Sequence, residues 1–128
     1  AMTEARNIVQ AYPDVKVLLA ICSPAVPGAA EALKQANDHR VKLTGLSTPN
    51  LCRDYMHEGW VQSIVLWNTR DLGYLTVYAS AAARDGRLKR GDTHFTAGRL
   101  GTLKVDGDQI LLGQPLVFTT ANIDRFHF

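Results

Sequence analysis

Apolar residues at Ala5, Ile8, Val9 and Tyr12 recur at helical spacing until Pro13-Asp14 ends the pattern, which predicts a helix over residues 3–12. The run V-K-V-L-L-A-I over residues 15–21 is almost wholly apolar and has the composition of a strand covered on both faces. Pro27 suits a first helical turn, and Ala29, Ala32, Leu33 and Ala36 then fall on one face of a helix rich in good helix formers. A second short strand is expected over residues 41–46. Thr48 stands after it as N-cap with Pro49 next, and Leu51, Cys52, Tyr55 and Met56 give the following helix a buried face that Gly59 closes. Residues 61–66 predict a third strand. A long helix follows over about residues 71–83, with Leu72, Leu75, Tyr78, Ala79 and Ala82 inward. Strands alternating with helices place the chain in the α/β class, with parallel pairing through right-handed crossovers.

After Gly86 the pattern changes. Asp106-Gly107 between two apolar runs reads as a β-hairpin turn, and Thr120 is placed to cap a last short turn. No repeat or low-complexity tract interrupts the 128 residues, a length that suits one core rather than two.

Charge removes some functions and leaves others. Fourteen basic and 12 acidic residues are scattered along the chain, so no stripe exists to follow a phosphate backbone, and nucleic-acid binding is not expected. The longest apolar run is far shorter than the roughly 20 residues of a membrane span, so no membrane insertion is expected. No basic-apolar-small leader pattern marks a secretory signal at the start. Cys22 and Cys52 could pair in an oxidising compartment, but without a C-x-x-C spacing they decide neither a disulfide nor free thiols. His39, His57, His94 and His127 have no metal-ligand spacing and no evident convergence on Cys22, so neither a metal, a cofactor nor an enzyme activity is called for. The tripeptide Arg90-Gly91-Asp92 reads as a turn.

In an open parallel sheet, ligands bind beyond the carboxyl ends of the strands. Three loops qualify. The first carries Cys22 and Ser23, the second Ser47 and Thr48, and the third Trp67 and Asn68, with Arg70 and Asp71 just beyond. Hydroxyls and a carboxamide offer donors and acceptors to a polyhydroxylated ligand, and an indole face can lie against the C–H face of a sugar ring. Each residue also has a plain structural use. Trp67 can end a core strand, Ser23, Ser47 and Thr48 can form turns and caps, and Asp71 can complement a helix dipole or serve as its cap.

The stretch G-L-S-T-P-N-L-C-R-D-Y-M-H-E-G-W-V-Q-S-I-V-L-W-N-T-R-D-L-G-Y-L-T-V-Y-A-S-A-A over residues 45–82 and the ending L-G-Q-P-L-V-F-T-T-A-N-I-D-R-F-H-F resemble the carboxyl-terminal portion of a periplasmic sugar-binding protein of an ABC importer. Within that family the chain is similar to rhamnose-binding proteins and, next to them, to autoinducer-2-binding proteins. The resemblance implies a Rossmann-like parallel sheet with flanking helices plus a C-terminal β-hairpin. It divides the chain into residues 1–67 in the carboxyl-terminal lobe, 68–113 as a hinge crossing, helix and hairpin belonging with an amino-terminal lobe, and 114–128 as the return segment.

It further implies a periplasmic solute receptor that performs no chemistry and works with a transporter permease. Its sugar would be a 6-deoxy sugar such as rhamnose, held by Cys22, Ser47 and Trp67 with Ser23, Thr48 and Asn68 beside them. On the same ground the chain corresponds to less than half of such a protein, so weak sugar binding or none is expected of it alone, and a helix left without its usual sheet predicts a homodimer. The effector domain of a LacI-type regulator shares this fold and is the alternative; the S-T-P-N loop and the N-I-D-x-F ending favour the transport protein.

Overall fold

The computed structural model describes residues 1–128. In chain order its elements are α1 (Met2–Ala11), β1 (Val17–Ala20), α2 (Ala25–Ala36), β2 (Lys42–Leu46), α3 (Pro49–His57), β3 (Ser63–Leu66) and α4 (Thr69–Arg84). They continue with β4 (His94–Thr96), β5 (Thr102–Asp106), β6 (Gln109–Ile110) and β7 (Leu116–Phe118), with 3-10 turns at Gly98–Leu100 and Ile123–Arg125. The chain forms two compact units, one of Ala1–Leu66 with Leu116–Phe128 and one of Trp67–Pro115.

The first unit is a mixed α/β layer. Strands β1, β2 and β3 run parallel, with Ala20 opposite Gly45 and Gly45 opposite Ile64, and β7 closes the order β1-β2-β3-β7 by pairing antiparallel to β3. Alternation along the strands sends Leu18, Ala20, Leu43, Ile64, Leu66 and Phe118 to one face. There they meet Val26, Ala30 and Leu33 of α2 and Cys52 and Met56 of α3 in a continuous core, and α1 packs on α2 through Ala5. Asn37 ends α2 in the left-handed conformation, its N–H bonded to the Leu33 and Lys34 carbonyls. Gly45 has no room for a side chain. A Cβ there would stand 2.0 Å from the Ala20 carbonyl oxygen across the β1–β2 pair.

The other face of this sheet departs from expectation. The composition of residues 15–21 predicts a doubly covered strand, yet β1 is an edge strand on which Val17 and Leu19 are exposed, Leu19 to 68%, as is Ile21 just past its end. Helices α2 and α3 line one side only, and no layer in the first unit covers the other. Thr44 and Ser63 share that open face and satisfy each other: the Thr44 hydroxyl donates to the Ser63 carbonyl at 2.9 Å and lies 3.0 Å from the Ser63 hydroxyl.

In the second unit, α4 lies with the three-stranded sheet β4-β5-β6, and Leu75, Ala82, Phe95, Ala97 and Val105 form its core. The expected inward stripe of α4 is realised only along its middle. Leu75 and Ala82 are buried and Ala79 half-buried, whereas Leu72 and Tyr78 stay exposed, because the small hairpin layer covers less of the helix than its apolar face offers. The hairpin turn is shifted by one residue from the expected Asp106-Gly107. Asp106 pairs with Gln109, leaving Gly107 and Asp108 as the loop, with Gly107 in the positive-φ region that such turns require. Arg90-Gly91-Asp92 is a turn, closed where the Asp92 carboxylate accepts from the Lys89 N–H at 2.7 Å. At the chain end Thr120 caps nothing; the last turn follows Asn122, whose carboxamide oxygen accepts from Thr119 N–H and whose Nδ2 donates to the Val117 carbonyl.

Candidate functional site

Parallel pairing of β1, β2 and β3 carries their carboxyl ends to the same edge of the sheet, so the loops that follow form one rim. Beyond β1, Cys22 is an exposed free thiol and Ser23 is half-buried, and the Cys22 carbonyl accepts from the Ala25 N–H at 2.9 Å as the chain turns into α2. Cys52 is the second free cysteine, buried in α3. Burial pushes its thiol pKa up, against a smaller opposing effect from a hydrogen bond with the Ser47 side chain.

Beyond β2, Ser47 and Thr48 divide into two roles. Ser47 is fully buried, and its hydroxyl donates to the Ser23 carbonyl at 2.9 Å. Thr48 occupies the N-cap position of α3 with an extended backbone, but its half-buried hydroxyl makes no capping hydrogen bond. The Asn50 N–H in the first turn of α3 donates instead to the Phe128 carbonyl at 3.1 Å. The chain end is held down on α3 by side chains as well. Arg53 donates to the Phe126 carbonyl and pairs with Asp124 at 3.3 Å, and His57 Nε2 lies 2.9 Å from the same Asp124 oxygen. The His57 contact, then the Arg53 and His127 charges, hold the Asp124 carboxyl below its usual range.

Beyond β3 the chain enters the second unit. Trp67, one residue past Leu66, is 41% exposed, so the indole is not sealed in a core. Asn68, also exposed, is the N-cap of α4 and accepts from the Asp71 N–H through its carboxamide oxygen at 3.1 Å. Asp71 therefore is not the cap, and it does not pair with its neighbour Arg70. It meets Arg99 at 2.5 Å, while the Arg99 guanidinium lies over the Tyr74 ring, 4.4 Å from its centroid. Sequence reasoning missed Arg99, which is 28 residues from Asp71 and carries no local signal. No three His, Cys, Asp or Glu side chains gather as a metal site, and no helix is long and apolar enough to cross a membrane. Among the histidines, His57 serves the Asp124 contact and His39 stacks on Trp60 at 4.0 Å.

A family model described as periplasmic binding protein domain matches residues 1–88. The chain belongs to the periplasmic binding protein domain family. Its members among the solved structures include a sugar ABC transporter protein from Actinomyces odontolyticus, 32% identical over 99% of this chain, with a TM-score of 0.80. A solute-binding protein of an ABC transporter from Clostridium phytofermentas, solved with bound L-rhamnose, is 30% identical over 98% of this chain with a TM-score of 0.86. LsrB from Clostridium saccharobutylicum, solved with AI-2, shares the fold at 23% identity, 99% coverage and a TM-score of 0.84. These are solute-binding proteins, not enzymes. The chain spans 42% of the length of the first and 44% of the other two, so it corresponds to less than half of each periplasmic binding protein it matches.

Proposed function

We propose that this chain is the carboxyl-terminal part of the sugar-binding component of an ABC importer, working in the periplasm and presenting a 6-deoxy sugar of the L-rhamnose class to the transporter permease. The observation that carries the proposal is the rim of the first unit, where the ends of the parallel strands β1 and β2 present Cys22, Ser23 and Thr48, while β3, parallel to them, leads along the chain into Trp67 and Asn68. The uncapped Thr48 hydroxyl, the exposed Cys22 thiol and the Asn68 Nδ2 are the groups offered to a ligand, and Trp67 supplies a ring face. None of these five residues is charged. A neutral sugar is therefore favoured over an anionic one, and a thiol and an indole accommodate a methyl group without stripping water from a polar partner. The relative solved with L-rhamnose supports this choice over ribose.

With one wall of a cleft in hand, the chain binds weakly, at a Kd on the order of millimolar, since closure of a second wall normally supplies the rest of the buried surface. A titration of the 128-residue chain with millimolar L-rhamnose, followed by amide and indole NMR shifts, is expected to move Cys22, Ser23, Thr48, Trp67 and Asn68. D-ribose is expected to leave them in place. No response to L-rhamnose, or an equal response to both sugars, would reject the assignment.

The uncovered sheet face also supports self-association of this chain. Val17, Leu19, Ile21 and Val117 are each more than half exposed on one face, and contiguous exposed apolar faces on soluble proteins tend to be contact sites. Light scattering at high concentration is expected to return about twice the 14.1 kDa chain mass. A clean monomer would contradict it.

A further inference from the structure

We infer that Ser47 is a positioning residue of the rim, a buried tie that fixes the loop after β1 against the start of α3, rather than a group that touches the sugar; this rests on the sugar-binding reading above. Ser47 is fully buried, the only polar residue in the chain so enclosed. Its hydroxyl donates to the carbonyl of Ser23, 24 positions away, which makes it a link between two rim loops rather than a local turn contact. Cys52 of α3, five residues further along the chain, is likewise fully buried. The tie from Ser47 to Ser23 thus runs from the buried start of α3 to the rim, and the residues at its outer end are the exposed Cys22 and the half-buried Ser23.

The neighbouring Ser23 and Thr48 set the spacing of two groups offered to the ligand, and that spacing is held by one hydroxyl. A buried acceptor left unpaired is costly, so loss of the Ser47 hydroxyl frees the Ser23 carbonyl to turn toward water and loosens the turn that Ala25 closes on Cys22. The effect on sugar is then indirect. The ligand meets the same side chains at a rim that is less well ordered before it arrives.

The test uses the whole 128-residue chain and two readouts. In Ser47→Ala the Ala25 amide is expected to exchange with solvent faster and the Ser23 carbonyl carbon shift to move, both without sugar, while L-rhamnose affinity falls about three- to tenfold, the size of one net hydrogen bond. Thr48→Ala serves as the contrast: it weakens L-rhamnose binding but leaves Ala25 exchange unchanged. Ser47→Cys, close in size and still a weak donor, is expected to give an intermediate result and keeps the test decisive if Ser47→Ala does not fold. Weakened sugar binding with Ala25 exchange and the Ser23 shift unmoved would show Ser47 touching the sugar and would overturn the inference. A Ser47 variant that changes neither readout overturns it too. If the unaltered chain does not respond to L-rhamnose, the sugar reading fails, and the exchange and carbonyl readouts alone uphold or reject the tie.

Discussion

Gly45→Ala lowers the melting temperature of the chain by about 10 °C or more. The new methyl would occupy a point 2.0 Å from the Ala20 carbonyl oxygen, 2.8 Å from its carbonyl carbon and 3.0 Å from its nitrogen. All three atoms are backbone in a paired strand, so no rotamer change relieves the contact. Either β1 moves away from β2 at the pair Ala20 and Gly45, or β2 kinks one residue before Leu46. Overpacking costs about 1–3 kcal/mol, occasionally more, and a collision with backbone belongs at or above the top of that range. For a chain of this size each kcal/mol is worth roughly 3–5 °C. Gly73→Ala is the control: Gly73 lies within α4 with nothing near the added methyl, and the change raises local helix stability by roughly 0.5–1 kcal/mol. Circular dichroism melts of the two variants decide the matter. A Gly45→Ala chain that melts with the unaltered one would mean that the β1–β2 pair is looser than its hydrogen-bonded register indicates.

Trp67→Ala reduces L-rhamnose affinity by about 30-fold or more, which for a weakly binding chain means loss of measurable response. Buried aromatic anchors are the residues that carry binding energy, with truncation costs of about 2 kcal/mol and above, and about 1.4 kcal/mol is a factor of ten. The indole is the one large apolar surface among the proposed contacts, so nothing nearby replaces it. Because Trp67 is part-exposed and absent from both cores, the same variant melts close to the unaltered chain. Trp67→Phe keeps a ring face of smaller area and retains part of the affinity. The NMR titration described above measures both affinities, and a circular dichroism melt the stability. A Trp67→Ala chain that binds L-rhamnose as well as the unaltered one would remove the indole from the site and leave the rim hydroxyls to explain recognition alone.

The parallel β-α order of the first half was legible because it is written in local terms. Apolar runs of strand length alternate with helical periodicity, and Pro49, Asn37 and Gly59 punctuate them. What escaped was non-local. The resemblance returned residues 114–128 to the first lobe, but no local pattern set Leu116, Val117 and Phe118 beside β3, and β4 is three residues whose pairing with β5 no local pattern announces. Periodicity located the apolar face of α4 but not how little of it the hairpin would cover, so Leu72 and Tyr78 came out exposed. The rim of the first unit was legible as a set of loops, because strand direction alone sends Cys22 and Thr48 to one edge. The division of labour within it was not. Two adjacent hydroxyls, Ser47 and Thr48, look alike in sequence, and only the turn of the chain into α3 sends one into the core and leaves the other at the surface. Asp71 was the candidate cap of α4; the Asn68 carboxamide took the cap and the carboxylate went to Arg99, a partner that sequence distance conceals.

Leu66, where the chain leaves the first unit, and Leu116, where it returns, are partners on a single rung of the β3–β7 pair. The whole span from Trp67 to Pro115 is therefore an excursion whose two stems start side by side, topologically equivalent to the loop of a β-hairpin. A short turn of two to five residues is long enough to join neighbouring antiparallel strands, so the second unit is a removable cassette: the chain admits a shortened form in which Leu66 runs through such a turn into Leu116, with the four-stranded order and its core residues left intact.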